Sequence, residues 1–198
     1  MTSRPPIDAA YRRRTVAAML GAMLMPAFSA SALSRIQPWP AKKAAPALAL
    51  ADLEGRSATL SAWRGQAVLL NFWASWCEPC VAEMAQLSHL AARHAGRLAV
   101  VGVNYKESGE TARRRLSGLP FAFTTLLDRN GSAFKLWTQG VLPTSVLVDS
   151  SGQPRVSVAG EMDWSGAEAA ALIEPLLARC ATGSPCAPRA PNSSKETS

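Results

Sequence analysis

One stretch constrains this chain more than any other: Val68-Leu69-Leu70-Asn71-Phe72-Trp73-Ala74-Ser75-Trp76-Cys77-Glu78-Pro79-Cys80-Val81-Ala82-Glu83. The apolar run from Ala67 to Trp73 has the length of a buried strand and is bounded by Gly65. From Glu78 to His94, apolar residues recur at Val81, Met84, Ala85, Leu87, Leu90 and Ala91, which is helical spacing. The two cysteines therefore sit where a strand hands over to a helix, and Pro79 suits the first helical turn, where a missing N–H costs nothing.

That placement carries chemistry. Free N–H groups and the positive end of the dipole at a helix N-terminus stabilise a thiolate. The pKa of a thiol falls there, and more of it is nucleophilic at neutral pH. A second thiol one turn along can attack the mixed disulfide formed by the first and release its partner. Two blander readings stand beside this one. Cys-x-x-Cys can be half of a zinc site, but the other cysteines, Cys180 and Cys186, lie in a remote Pro/Gly/Ser-rich tail. It can also be a purely structural disulfide.

Phe72 to Cys80 resembles the active site of thioredoxin-like proteins. The Glu78-Pro79 dipeptide and Glu83 resemble the extracytoplasmic TlpA/ResA-like branch, whose members are thiol–disulfide reductases, several serving cytochrome c maturation. The resemblance runs over about residues 46–177. It implies an α/β, thioredoxin-like fold: a central mixed sheet flanked by helices, with an N-terminal β-hairpin and an insertion between the two halves. It implies no cofactor and no metal.

The net charge of +7 is not evenly spread. Residues 1–43 carry +6, residues 44–178 carry −1 and residues 179–198 carry +2. The globular part is near neutral, which argues against a nucleic-acid partner. Arg113-Arg114-Arg115 reads as a solvated helix face. Residues 1–32 read as a signal peptide or an N-terminal membrane anchor. Arg12-Arg13-Arg14 precedes an apolar run from Val16 to Phe28, and Ala30-Ser31-Ala32 offers a cleavage site. General secretion and a twin-arginine route both fit. Either puts the domain in a periplasm, where disulfides persist. Residues 33–46, with three prolines and no periodicity, read as an extended linker. Residues 47–178 form the thioredoxin-like domain, and residues 179–198 a disordered tail with a cysteine pair.

Within the domain, Leu48–Leu50 and Ala58–Leu60 read as a hairpin, and Trp63 as packing. Leu98–Val103 is a second buried strand after Gly96, so strand, helix and strand make a parallel unit. Asn104-Tyr105-Lys106-Glu107 follows, either a simple turn or part of a site at the carboxyl end of that strand. A helix is expected over Glu110–Leu116, a strand over Phe121–Leu127, and a short helix to Trp137 with Ser132 as N-cap. Strands Ser145–Val148 and Arg155–Val158 and a helix Ser165–Ala178 complete the fold.

Cys77, nearer the helix start and at its exposed rim, is the expected nucleophile, and Cys80 the resolving thiol. Glu83 is either a surface glutamate favourable to the dipole or, if buried, an acid/base with a raised pKa. The resemblance places a functional Glu there, while Asn71 stands where thioredoxin has an acid. It also makes Pro143 a cis proline against the cysteines and lets the backbone of Leu142 pair with substrate. It brings Gly160 near the site. Trp76, Glu78 and Pro79 complete the substrate-binding set. Glu78, with no cation expected to balance it, should raise the thiol pKa and favour a reductant.

Cys180 and Cys186 are expected to form a structural disulfide, with a relay to Cys77–Cys80 as the alternative. The leading function is a periplasmic reductase of protein disulfides, apocytochrome c among them, fed by a membrane thiol–disulfide donor. Its rivals on the same fold are a thiol peroxidase and a non-catalytic metallochaperone. The metallochaperone would want Met or His near the cysteines, where Met84, His89 and His94 are the nearest in sequence.

Overall fold

The computed structural model describes residues 34–178. The leader or anchor over residues 1–32 and the Cys180/Cys186 pair lie outside the described residues. The chain runs β1 (Arg35–Pro38), β2 (Ala49–Asp52), β3 (Ser57–Thr59), a 3-10 turn over Leu60–Trp63, and β4 (Ala67–Trp73). It continues through α1 (Glu78–Ala82), α2 (Met84–Arg93), β5 (Leu98–Tyr105), α3 (Gly109–Leu116), β6 (Thr124–Asp128) and α4 (Ser132–Trp137). It ends with β7 (Thr144–Val148), β8 (Pro154–Ala159) and α5 (Ala167–Ala178). One mixed sheet has the order β1-β8-β7-β4-β5-β6-β2-β3. β4, β5 and β6 are parallel, and β7 runs antiparallel to β4.

β4 sits in the middle and is buried along its whole length. Its side chains alternate between faces, as a pleated strand demands. Leu69 packs with Leu87, Leu147 and Ile173 under α2 and α5. Val68, Leu70 and Phe72 pack with Val101, Val103, Phe134 and Trp137 on the other side. Asn71 shares the Leu69 face, and it is the polar break in an otherwise apolar row. Burying each such large apolar side chain contributes about 1.5–3 kcal/mol, so the strand that leads into the cysteines is firmly held.

Three expectations are corrected here. First, part of the expected linker is a strand: Arg35–Pro38 pairs with β8 from Arg35↔Ala159 to Pro38↔Val156. Prolines at 38 and 40 misled because an edge strand tolerates a missing donor at its end. The stretch is then pinned by the Trp39 indole, which donates to the Lys43 carbonyl at 3.0 Å and packs 5.7 Å from the Trp137 ring. Second, the helix after the cysteines is two helices, interrupted at Glu83, where ψ of −18° is closer to a 3-10 turn than to an α-helix. Third, Ser132 is not the cap of α4. Gly131 holds that place at φ 74°, and the Asp128 carboxylate accepts from the N–H groups of Ala133 and Phe134 at 3.2 and 2.8 Å. A Cβ at Gly131 would stand 2.7 Å from the Lys106 side chain and 2.8 Å from the Tyr105 ring, so the turn needs glycine for space as well as for φ.

The remaining elements fall within a few residues of where the pattern put them. The hairpin β2–β3 adds to β6 at the sheet's end, and α3, β6 and α4 are the material between the two halves. No helix among the described residues is long and apolar enough to cross a membrane.

Candidate active site

β4 delivers Ala74-Ser75-Trp76 as a turn, with the Cys77 N–H donating to the Ala74 carbonyl at 3.2 Å. Cys77 is the N-cap of α1, and Pro79 lies in the first turn without a donor to waste. Cys77 and Cys80 form a disulfide with Cα atoms 5.3 Å apart. Cys80 is fully buried, as expected. Cys77 is 6% exposed, so it is less open than a rim position suggested. Trp76 and the residues of the cleft shield it.

The cleft measures about 550 Å³ and is lined by Trp76, Cys77, Glu78, Pro79, Tyr105, Phe134, Gly140 and Leu142. It gathers Trp76, Cys77, Glu78, Pro79 and Leu142 of the expected site residues, while Cys80, Glu83 and Pro143 lie outside its lining. Trp76 is 64% exposed and forms one lip. Opposite it, the Leu142–Pro143 peptide bond is cis, and Leu142 is half-buried. Pro143 is buried and does not line the cleft; its carbonyl accepts the Gly160 N–H at 2.9 Å. Tyr105 and Phe134, whose rings are 4.3 Å apart, complete the wall.

Glu83 is buried, with 2% exposure. One carboxylate oxygen accepts the Met162 N–H at 2.6 Å, and the other faces the Asn71 amide at 3.5 Å. Asn71 in turn donates to Ser145 Oγ at 3.1 Å. Burial pushes the Glu83 carboxyl up to about 7. The Met162 N–H and the Asn71 amide pull the other way, while the Glu161 carboxylate adds to the rise. So the reading of Glu83 as a surface glutamate gives way to a buried acid that titrates near neutrality.

The expectation that no cation balances Glu78 is overturned. Arg115 Nη2, from α3, lies 3.3 Å from both carboxylate oxygens of Glu78. The rest of the arginine run is the solvated helix face expected, with Arg113 and Arg114 exposed. Arg114 pairs with Glu110 at 2.6 Å, and Arg113 donates to the Leu53 carbonyl. A sequence pattern could not show the Glu78 pairing, since the partners lie on separate elements.

Glu107 is the site residue that local pattern reading left undecided. Its carboxylate accepts the Ser75 N–H at 2.8 Å, the Ser75 Oγ–H at 2.5 Å and the Asn104 amide at 2.7 Å. Asn104 and Tyr105 end β5 and Lys106 and Glu107 follow it, so these four residues are more than a simple turn. Among the described residues no cluster of three or more His, Cys, Asp or Glu is arranged to hold a metal ion. Met84 is core, His94 is buried beside Arg97, and His89 is exposed on the far part of α2. A lone peroxidatic cysteine is also not what the site contains, since Cys77 is joined to Cys80.

Comparison with known proteins agrees with this geometry. The sequence model of the Redoxin family matches residues 40–171. The thiol-disulfide oxidoreductase ResA of Geobacillus thermodenitrificans is 32% identical over 119 residues, which is 60% of this chain and 68% of the relative. The thioredoxin-like protein YneN of Bacillus subtilis is 34% identical over 111 residues, or 54% of this chain and 65% of that protein. Among solved structures, a putative thiol:disulfide interchange protein DsbE from Chlorobium tepidum superposes with a TM-score of 0.63 at 30% identity, covering 68% of this chain and 96% of that one. A central strand ending in a helix-capping cysteine pair, a cis proline opposite and relatives of this kind lead to one conclusion: the chain belongs to the Redoxin family, among the thioredoxin-like, ResA-like thiol–disulfide oxidoreductases.

Proposed function

We propose that the protein is an extracytoplasmic reductase of protein disulfides that works by dithiol–disulfide exchange at Cys77 and Cys80. The observation that carries this is the cysteine pair at the N-terminus of α1, with Cys77 on the floor of an open cleft between Trp76 and Leu142. In the reduced protein the Cys77 thiolate attacks one sulfur of the substrate disulfide. A mixed disulfide forms as the substrate S–S bond breaks, and the first substrate sulfur leaves as a thiolate that takes from solvent the proton Cys77 had released. Glu83 accepts the Cys80 proton. The Cys80 thiolate then attacks the Cys77 sulfur, the mixed disulfide breaks, and the Cys77–Cys80 bond closes. The second substrate sulfur leaves as a thiolate that takes up, through solvent, the proton held on Glu83. Two electrons and two protons pass to the substrate.

The direction of flow no longer rests on Glu78, which Arg115 offsets. It rests on Glu83. A buried carboxylate one turn beyond Cys80 opposes a second negative charge on the thiols, which favours the disulfide form of this pair and hence a reductant. The periplasmic location is supported by the charged and apolar pattern of residues 1–32. Apocytochrome c as a substrate, and a membrane thiol–disulfide donor as the source of electrons, follow from the resemblance to the branch described above.

Trapping tests the exchange. A Cys80→Ser variant should accumulate mixed disulfides with a disulfide-containing peptide, and Cys77→Ser should not; the reverse pattern would overturn the assignment of the nucleophile. Equilibration with glutathione tests the direction. A potential well below about −200 mV fits a reductase, and one near about −120 mV would make the protein an oxidant.

A further inference from the structure

We propose that Glu107 is a positioning residue for Cys77: its carboxylate clamps Ser75 and so fixes the turn that presents the Cys77 sulfur to the cleft. The proposal rests on Cys77 being the attacking thiol. Both oxygens are committed. Oε1 takes the Ser75 hydroxyl, and Oε2 takes the Ser75 N–H together with the Asn104 amide. Among the described residues Glu107 makes no ion pair, so no cation competes for those oxygens.

The backbone around Glu107 is built for the clamp. Lys106 is the one non-glycine among the described residues with positive φ, at 55°. A lysine gains nothing from the left-handed region, and such an outlier persists only where its surroundings fix it. Here the Lys106 N–H donates to the Asp128 carbonyl at 3.0 Å, and the carboxylate of that same Asp128 caps α4. The left-handed residue reverses the chain directly after β5. Tyr105 stays in the cleft wall, and Glu107 turns back onto the segment preceding the cysteines. Helix capping does not explain it. α3 is capped by Ser108, whose Oγ accepts the Thr111 N–H at 3.1 Å.

The consequence is mechanical. The Ser75 N–H and the Cys77 N–H are two residues apart in one turn, the first held by Glu107 and the second by the Ala74 carbonyl. Attack on a disulfide needs the thiolate aimed along the sulfur–sulfur axis, and a misplacement of about 1 Å can cost roughly 100-fold.

Two substitutions separate clamp from charge. Glu107→Gln and Glu107→Ala both remove the negative charge, but only Gln keeps an acceptor for the Ser75 N–H. We expect kcat/KM for reduction of a peptide disulfide to fall about 30-fold in Glu107→Ala, mostly in kcat, and to recover to within about threefold of wild type in Glu107→Gln. The alkylation rate of reduced Cys77, followed from pH 5 to pH 9, should shift its midpoint in Ala relative to Gln. Equal behaviour of the two variants in both assays would overturn the proposal. If Glu107→Ala does not fold, Ser75→Ala carries the test, with about a fivefold loss in kcat expected and an unchanged kcat overturning it. A Cys77→Ser variant that kept full activity would instead refute the exchange reading, and the alkylation data would still report on the clamp.

Discussion

Two glutamates five positions apart, one between the cysteines and one beyond them, live in different solvents. Glu78 is 82% exposed at the mouth of the cleft and shares its charge with Arg115. Glu83 is sealed beneath the site, with Met162, Asn71 and Trp164 around it and no cation. Chemically identical side chains thus take opposite parts. Water and a guanidinium screen the first, so it contributes little beyond the shape and charge of the rim. Burial makes the second sensitive to every proton, because the carboxylate form must be held in a poorly solvating interior. The comparison teaches that the number of acids near a thiol says little. What counts is whether each can keep its charge cheaply.

The largest effect by which to break that comparison is the dependence of stability on pH. The Glu83 carboxyl is raised to about 7 in the folded protein, from 4.5 as a free group. Between those values the folded state holds a proton that the unfolded state has released. Stability from this group is complete below about pH 4.5 and is lost as pH rises through about 7, a loss of about 3 kcal/mol. His94, whose buried ring is held below its ordinary value, runs the other way through part of this window. The informative quantity is therefore wild type minus Glu83→Gln, measured by urea unfolding of the oxidised protein from pH 4 to pH 8.5. That difference should fall by about 3 kcal/mol across the range; a flat difference would mean Glu83 is as well solvated as Glu78.

A middle-sized effect sharpens the environment of Glu83. Asn71→Ala removes the amide that faces its carboxylate and leaves Ser145 Oγ without its partner, at a cost of about 1–3 kcal/mol in stability. Because that amide lowers the Glu83 pKa, its loss should move the pH–rate inflection above the wild-type position near 7. A downward shift would place the dominant field elsewhere. The smallest effect belongs to the exposed glutamate. Glu78→Gln and Arg115→Gln should each change stability by under about 1 kcal/mol and turnover by no more than about fivefold. A larger loss in either would show that the ion pair at the rim is far less screened than its exposure implies.

The same contrast marks what the sequence made legible. β4 was readable to the residue because an unbroken apolar run between a glycine and a cysteine pair has few other uses. Cys77 and Cys80 were legible for a similar reason, as a local feature with a chemical signature, and the cis bond before Pro143 came from the resemblance to thioredoxin-like proteins. The bonds that tune the site were not. Arg115 reaches Glu78, and Glu107 reaches Ser75, across 37 and 32 residues of chain. Each bond involves a charged side chain whose local pattern is that of an ordinary surface. β1 escaped notice because its prolines look like a linker until β8 is there to pair with it. The break at Glu83 hid because a helix interrupted for one residue keeps its apolar spacing.

That first strand also covers what would otherwise be an edge of the sheet. Without it, β8 would offer a row of unpaired N–H and C=O groups, a template for another chain to extend the sheet. β1 covers that row and then ends in Pro38 and Pro40, which have no N–H to give. At the far end β3 is only three residues long and is flanked by Arg56. The sheet thus ends in a four-residue strand finished by a proline on one side and a three-residue strand on the other, which leaves little edge for another chain to extend.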